Sequence, residues 1–234
     1  MDFPMRFSLR RLFLAFAIFA TLAPFASSPA AAKTGFEPDR IARASSLKEG
    51  YGALVISVRS ELFLLAELDV FFVREGGDLA NDADVFRVSR SQSAFAMGNS
   101  TAKHAPRYLQ LPAGRYRLAG HGSKCPKVPA PDERCLADVK FAGIGETVSF
   151  PSRGYGDDAP VIEVVAGRVT YGGDFALTAR NTIEWSALPP KHRGKAERRF
   201  KSLAAGPPPE VAENYRLKFP LRARSMSDDR GRRY

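Results

Sequence analysis

Between residues 51 and 190 the chain contains short apolar runs that are separated by polar segments and by turns containing glycine and proline. They lie at residues 54–58, 70–73, 85–88, 108–111, 116–118, 146–150, 161–165, 168–171, 175–177 and 181–185. The runs are rich in β-branched and aromatic residues, and no 3.6-residue helical period competes with them. We therefore predict an all-β fold, an antiparallel β-sandwich of about seven to nine strands.

Turn signals between these runs support the same prediction. Pro112-Ala113-Gly114, Ala166-Gly167 and Gly172-Gly173 each lie between two of the apolar runs. Proline presets the backbone φ of a turn and glycine accepts positive φ. With 44% hydrophobic residues, the chain is too apolar to be wholly disordered.

The first 32 residues have the three-part pattern of a secretory signal peptide. Arginines precede an uncharged apolar stretch at residues 12–23, and small residues follow as far as Ala32. That stretch is shorter than the roughly 20 residues of a membrane-spanning helix. We predict cleavage near Ala32, a periplasmic location and no integral membrane span after cleavage. The pair Arg10-Arg11 leaves the export route open, because it partly resembles a twin-arginine signal.

The positive charge is concentrated at the C terminus. Residues 33–190 contain 19 basic and 19 acidic residues, whereas residues 191–234 contain 13 basic and 5 acidic ones. We therefore divide the chain into a signal peptide (1–32), an N-terminal lead-in (33–50), a β-sandwich domain (51–190) and a basic tail (191–234). The tail is expected to be partly helical or disordered, with helices at residues 195–204 and 208–216.

The basic tail is a candidate contact for an anionic partner. The candidate contact residues are Arg193, Lys195, Arg198, Arg199 and Lys201. Lipid headgroups, acidic polysaccharide or an acidic protein face would attract them, although such charge runs are also often simply solvated. Nucleic acid is not expected as a partner, because the protein is exported and aromatic residues are sparse in the tail.

The two cysteines are predicted to form a disulfide. Cys125 and Cys135 flank a loop with three prolines, and an oxidising compartment favours their pairing. Two cysteines are too few for a disulfide-dense miniprotein or a four-thiolate zinc site. The pair also lacks the Cys-x-x-Cys spacing of redox motifs.

No catalytic or metal-binding constellation is evident in the sequence. The histidines, at positions 104, 121 and 192, are far apart. His121 is the best placed for catalysis, but no nucleophile elbow accompanies it. The acidic segment 78–84 lacks the glycine and terminal glutamate of a calcium loop, and Asp157-Asp158 is typical of a turn. We expect no enzyme activity, no metal and no cofactor.

A set of aromatic residues falls mostly in the predicted strands. The set comprises Phe71, Phe72, Phe141, Phe150, Tyr171 and Phe175. Aromatic side chains at such positions usually pack in the core. A ligand cleft between sheets would use the same residues, so both interpretations stay open.

The segments Leu111-Pro-Ala-Gly-Arg-Tyr116 and 161–177 resemble a bacterial pattern. They are similar to those of small envelope-associated β-sandwich domains, often lipoproteins, with a transthyretin-like or carboxypeptidase-regulatory-like architecture. The similarity covers about residues 50–180 and implies a fold but no activity. The chain departs from that family by lacking a lipidation cysteine and by carrying the Cys125–Cys135 loop and the basic tail.

Three functions are compatible with these observations, and we rank them. The first is that of a non-enzymatic periplasmic β-sandwich that binds another cell-envelope component, either a protein or an anionic surface. Its basic tail would be an accessory electrostatic contact. The alternative is a small-ligand-binding or carrier sandwich that uses an aromatic cleft. A hydrolase using His121 with a loop acid ranks third.

Overall fold

The computed structural model describes residues 34–62, 67–91, 106–141 and 144–215. The predicted signal peptide and its cleavage near Ala32 lie outside the described residues, as do His104 and residues 216–234 of the predicted tail.

The described chain is strand-rich, which confirms the all-β prediction. It contains the strands β1 (Tyr51–Ser60), β2 (Glu67–Arg74), β3 (Val85–Ser91), β4 (Arg107–Pro112), β5 (Gly114–Gly122), β6 (Cys135–Phe141), β7 (Ile144–Phe150), β8 (Ser152–Gly154), β9 (Val161–Val164), β10 (Arg168–Leu177), β11 (Ile183–Ser186) and β12 (Ala204–Ala205). One α-helix, α1 (Pro190–Arg199), and two short 3-10 turns, Ala44–Ser46 and Glu213–Tyr215, complete the elements. No helix among these elements is long and apolar enough to cross a bilayer.

Most strands belong to two five-stranded sheets. The first has the order β11-β10-β1-β4, with β12 also paired to β10, and the second has the order β3-β2-β5-β8, with β9 also paired to β5. Strands β6 and β7 form a separate two-stranded hairpin.

Strand β1 is the most deeply buried element. Nine of its ten residues are buried. Residues 53–56 form a continuous apolar run rather than an alternating one, as expected for a strand covered on both faces. Leu54, Ile56 and Val58 belong to the main core, to which both sheets contribute. Ala53 and Val55 belong to a different cluster, which includes Ala196 and Phe200 at the end of α1. The strand is therefore covered on both faces.

A third cluster lies under the cysteine loop. Phe71, Val73 and Ala119 from β2 and β5 pack with both cysteines and Val128. Cys125 and Cys135 lie at disulfide distance, as predicted, with their Cα atoms 5.3 Å apart. A Cβ at position 122 would overlap the sulfur of Cys125, so glycine is required where the loop folds back on β5.

Two pairings differ from the all-antiparallel prediction. Strands β1 and β10 run parallel, and so do β10 and β12. A tight turn forces neighbouring strands to be antiparallel, but more than a hundred residues separate β1 from β10 in the chain, so no turn dictates their direction. The described strands also outnumber the seven to nine predicted, because β6, β8 and β12 were not anticipated.

The predicted turn at Gly172-Gly173 is wrong. Both glycines lie inside β10, which continues past them with a register shift opposite Val55 and Ile56. Gly173 has a φ of +95°, and a Cβ there would overlap the Trp185 indole. The glycines therefore form a bulge that makes room for the neighbouring strand rather than a chain reversal.

The described part of the predicted tail packs against the sheets. The first helix begins at Pro190 rather than residue 195, and Phe200 just after it is 1% exposed. The second predicted helix is not formed as expected. Glu210 instead exchanges backbone hydrogen bonds with Val161, and Glu213–Tyr215 is a 3-10 turn whose Tyr215 joins the main core.

We predict that removing the disulfide with Cys125→Ala and Cys135→Ala lowers the free energy of unfolding by about 2–3 kcal/mol, because the closed loop restricts the unfolded chain. Urea denaturation of the exported protein measures this. The wild-type protein under reducing conditions is the matched comparison and should unfold at the urea concentration of the double variant. Equal midpoints for the oxidised wild type and the double variant would contradict the prediction.

Candidate functional site

Helix α1 carries four of the five predicted anion contacts. It starts with proline at the first helical position, which proline favours because its missing N–H is not needed there. Ala196 and Phe200, four residues apart, face the first sheet and are buried. Most of the other side chains of the helix are charged.

All five predicted contacts are exposed on this side of the molecule. Lys195, Arg198 and Lys201 have no carboxylate partner among the described residues, whereas Arg193 pairs with Glu197 at 3.0 Å. Arg198 and Arg199 lie in the last helical turn, where positive charge interacts favourably with the helix dipole. The structure thus places four of these residues on one helix and Lys201 just after its C-terminal end, and we call the exposed surface of this segment the α1 face.

Two arginines fix α1 to aromatic rings of the sheet. The Arg193 guanidinium lies 5.2 Å from the centre of the Tyr171 ring, and that of Arg199 lies 4.2 Å from the centre of the Tyr108 ring. Such stacking is worth about 0.5–1 kcal/mol at exposed sites. The two contacts hold opposite ends of the helix.

A basic groove lies at the C-terminal end of α1. It has a volume of about 450 Å³ and is lined by Arg40, Ile41, Ala42, Pro106, Arg107, Tyr108 and Arg199. Burial, followed by repulsion from Arg40, lowers the pKa of Arg107 below its usual value. Sequence reasoning missed Arg40 and Arg107, because they belong to a part of the chain with no net charge.

An aromatic groove lies near the N-terminal half of the helix. It has a volume of about 230 Å³, and its walls include Tyr171, Trp185, Arg193 and Pro207–Pro209. The Trp185 indole N–H donates to the Gly172 carbonyl at 2.8 Å, which fixes the ring. This groove, called the Trp185 groove below, is on the surface of the first sheet.

The remaining aromatic candidates have mixed locations. Phe71, Phe72 and Phe175 are fully buried, and Phe72 stacks on Phe86 with ring centres 4.7 Å apart. Phe150 lies on the β6–β7 hairpin near Lys124. Phe141 is in β6. Tyr171 is the predicted aromatic residue that lines a groove.

His121 is fully buried within a closed hydrogen-bond network. The Asn181 amide group donates to the Ser152 carbonyl, so Asn181 Oδ1 is the atom that faces His121 Nε2. Nδ1 of the neutral ring therefore accepts from the Tyr155 hydroxyl at 2.8 Å, and the Ile183 N–H donates to the same hydroxyl at 2.6 Å. His121 Nε2 then carries the proton and donates to Asn181 Oδ1 at 3.1 Å. Burial is the main cause that lowers the pKa of His121 to about 4.

The chain of hydrogen bonds continues beyond the imidazole. The Asn181 amide donates to the Ser152 carbonyl at 2.9 Å, and Asn181 has a φ of +56°. The network joins β5, β8 and the turn before β11, so every polar atom of the imidazole ring has a partner. The geometry is that of a structural histidine.

The two acidic segments form turns. In the segment 78–84, Asp78 and Asp84 accept backbone N–H groups of the same loop, and Asp82 accepts the N–H of Gly35. Asp157 is exposed and pairs with Arg117 at 2.9 Å. Within the described ranges, no group of three His, Cys, Asp or Glu side chains is placed to hold a metal ion.

Comparisons with protein-family models, curated proteins and solved structures found no significant match. The resemblance to envelope-associated sandwich domains therefore stays a prediction.

We predict that His121 makes the protein less stable as the pH falls. The unfolded chain binds a proton near pH 6.5 and the folded histidine only near pH 4. Its contribution is therefore present above about pH 6.5 and is lost as the pH falls toward 4, amounting to about 3 kcal/mol for this pKa difference. Urea denaturation over this pH range measures the loss.

His121→Gln removes the titrating ring. The free energy of unfolding of this variant should therefore change less between pH 6.5 and pH 4, although the variant is less stable than the wild type at neutral pH. His192→Gln, at a half-buried position of α1, is the comparison for loss of a histidine outside this network. An unchanged profile in His121→Gln would show that other groups cause the acid sensitivity.

Proposed function

We propose that this protein is a non-enzymatic, exported binding module of the bacterial periplasm that binds an anionic cell-envelope component through the α1 face. The observation that carries this proposal is the placement of Arg193, Lys195, Arg198, Arg199 and Lys201 on an ordered helix and its C-terminal end. Buried residues anchor that helix, while its charges stay exposed.

The proposal includes the finer architecture. The two five-stranded sheets share one core cluster, with Leu54 and Phe72 drawn from opposite sheets. We regard this arrangement as the β-sandwich expected from the sequence, with α1 and residues 34–47 covering one outer face and the disulfide loop covering the other. The sandwich then acts as a scaffold that fixes the α1 face.

Electrostatics supports a surface or a polyanion as the partner. Each Lys or Arg near an anionic membrane surface contributes about 1 kcal/mol, and the effect falls off within a Debye length. Because α1 already holds several charged side chains close together, binding to a surface does not first have to order this segment of the chain. The signal-peptide pattern of residues 1–32 would deliver the protein to a compartment rich in such surfaces.

The Trp185 groove favours the alternative function, a carrier of small ligands. Ligand sites combine aromatic walls with a few polar groups, and here Tyr171 and Trp185 stand beside the Arg193 guanidinium. The volume of about 230 Å³ would suit a ligand of modest size.

We predict that the triple variant Lys195→Glu, Arg198→Glu and Lys201→Glu loses most binding to phosphatidylglycerol vesicles. Replacing attraction with repulsion at three positions should weaken binding by tenfold or more, since each charge is worth about 1 kcal/mol. Cosedimentation measures this, and binding of the wild type should fall as salt is raised.

The matched control is Lys124→Glu, Arg134→Glu and Arg180→Glu, which makes the same charge change at exposed positions outside α1. It should bind like the wild type. Equal binding by the two triple variants would mean that net charge, not the α1 face, is responsible.

The carrier function predicts a different result. A small molecule would co-purify with the wild-type protein and be lost from Tyr171→Ala, with Tyr171→Phe as the conservative control. Trp185 is the protein's single tryptophan, so its fluorescence reports occupancy of the groove directly. Mass spectrometry that finds no bound molecule, together with unchanged fluorescence on adding an extract of envelope small molecules, would reject this alternative.

A further inference from the structure

The basic groove is built from three segments that are distant in the sequence. Arg40 comes from the lead-in before β1, Arg107 from the start of β4 and Arg199 from the end of α1. Its walls are held by the backbone, because the Ile41 N–H donates to the Tyr108 carbonyl at 2.9 Å and Arg40 forms a β-bridge with Leu109. The positions of the arginines are therefore set by the fold.

The groove contains more positive charge than its carboxylates neutralise. Among the described residues, Glu37 is the single carboxylate paired with these arginines, and it contacts Arg107 at 3.4 Å. Arg40 and Arg199 have no carboxylate within ion-pair distance in the described chain. Two guanidinium groups are thus available to a ligand.

The orientation of Arg199 favours a ligand in the groove. Its guanidinium is stacked on the Tyr108 ring, and that ring also packs on Phe200 with centres 5.7 Å apart. Among the described residues the Arg199 guanidinium donates to no protein acceptor, and its planar set of N–H donors suits the oxygens of a phosphate. Burial first, and then repulsion from Arg40, lowers the pKa of Arg107, while Glu37 and Asp69 act in the opposite direction. An anion between Arg40 and Arg107 would relieve the repulsion between them.

We propose that the groove formed by Arg40, Arg107 and Arg199 binds a phosphate monoester carried on a small organic group. A monoester has close to two negative charges at neutral pH, which matches the two guanidinium groups left without a carboxylate. Ile41, Ala42 and Pro106 provide an apolar wall for the organic group, and the volume of about 450 Å³ exceeds what the phosphate alone needs.

This inference rests on the proposed function, since it names the chemical group that the α1 side of the molecule recognises. The two are separable, however. Broad attraction to an anionic surface depends on Lys195, Arg198 and Lys201. Recognition of the monoester depends on Arg40, Arg107 and Arg199, of which Arg199 alone also belongs to the α1 face. A monoester could come from a lipid headgroup or from a soluble sugar or glycerol phosphate, and the experiment distinguishes these sources.

The experiment compares ligands that differ only in the phosphate. Calorimetry of the exported protein is carried out with glycerol 3-phosphate and with its methyl diester, and cosedimentation with phosphatidic acid and phosphatidylglycerol vesicles. We expect the monoester to bind about tenfold more tightly than the diester, because one charge-assisted interaction is lost in the diester. This preference should shrink as the monoester is protonated between about pH 7.5 and about pH 5.5.

The double variant Arg40→Gln and Arg107→Gln should abolish the monoester preference while retaining salt-sensitive binding to phosphatidylglycerol. Arg134→Gln together with Arg180→Gln, at two exposed positions outside α1, removes the same charge as the matched control and should keep the preference. Urea denaturation confirms that each variant is folded. Arg199→Lys keeps the charge but removes the planar donors, and should weaken the preference without abolishing binding to anionic vesicles.

Each outcome has a definite meaning. A preference confined to vesicles identifies a lipid headgroup, and one seen with glycerol 3-phosphate identifies a soluble ligand. No monoester preference in the wild type would overturn this inference, and it would leave the proposed function intact if charge reversal on α1 still abolished vesicle binding. A preference that survives Arg40→Gln and Arg107→Gln would also overturn it.

Discussion

The burial of β1 on both faces is the constraint on which the rest of the structure depends. A strand with nine of ten residues buried needs a partner on each edge and a layer on each face. Strands β10 and β4 supply the edges, the second sheet covers Leu54 and Ile56, and α1 with the lead-in covers Ala53 and Val55. Burying each such aliphatic side chain is worth about 1.5–3 kcal/mol, so the outer cover is part of the fold rather than an appendage.

Two sets of polar contacts inside this scaffold join segments that are distant in the chain. Arg59 on β1 and Asp174 on β10 form an ion pair with side chains 1% and 0% exposed. Replacing one member of such a pair costs more than the pair itself contributes, because a buried charge is left alone. The His121 network follows the same principle with neutral groups, and it ties β5 and β8 to the turn before β11.

Helix α1 links this architecture to the proposed binding surface. Its apolar residues, Ala196 and Phe200, complete the cover over β1, and the same anchoring fixes the direction of its arginines. Because Arg193 and Arg199 stack on Tyr171 and Tyr108, each end of the helix forms one wall of a groove. A basic segment that would otherwise only attract anions is thereby placed beside Arg40 and Arg107. In the proposal above, it is the charge density in the groove, rather than the total charge, that would give the surface chemical selectivity.

Local sequence patterns were enough to predict the β-rich class, most strand positions, the Cys125–Cys135 pairing and the excess of charge after residue 190. These depend on neighbouring residues, whose preferences act locally. Tertiary structure decided the parallel pairing of β1 with β10, the continuation of β10 through Gly172 and Gly173, and the hydrogen-bond partners of His121. It also brought Arg40 and Arg107 to Arg199. Such contacts join residues far apart in the chain (Arg59 and Asp174 are separated by 115 positions), and no local pattern encodes them.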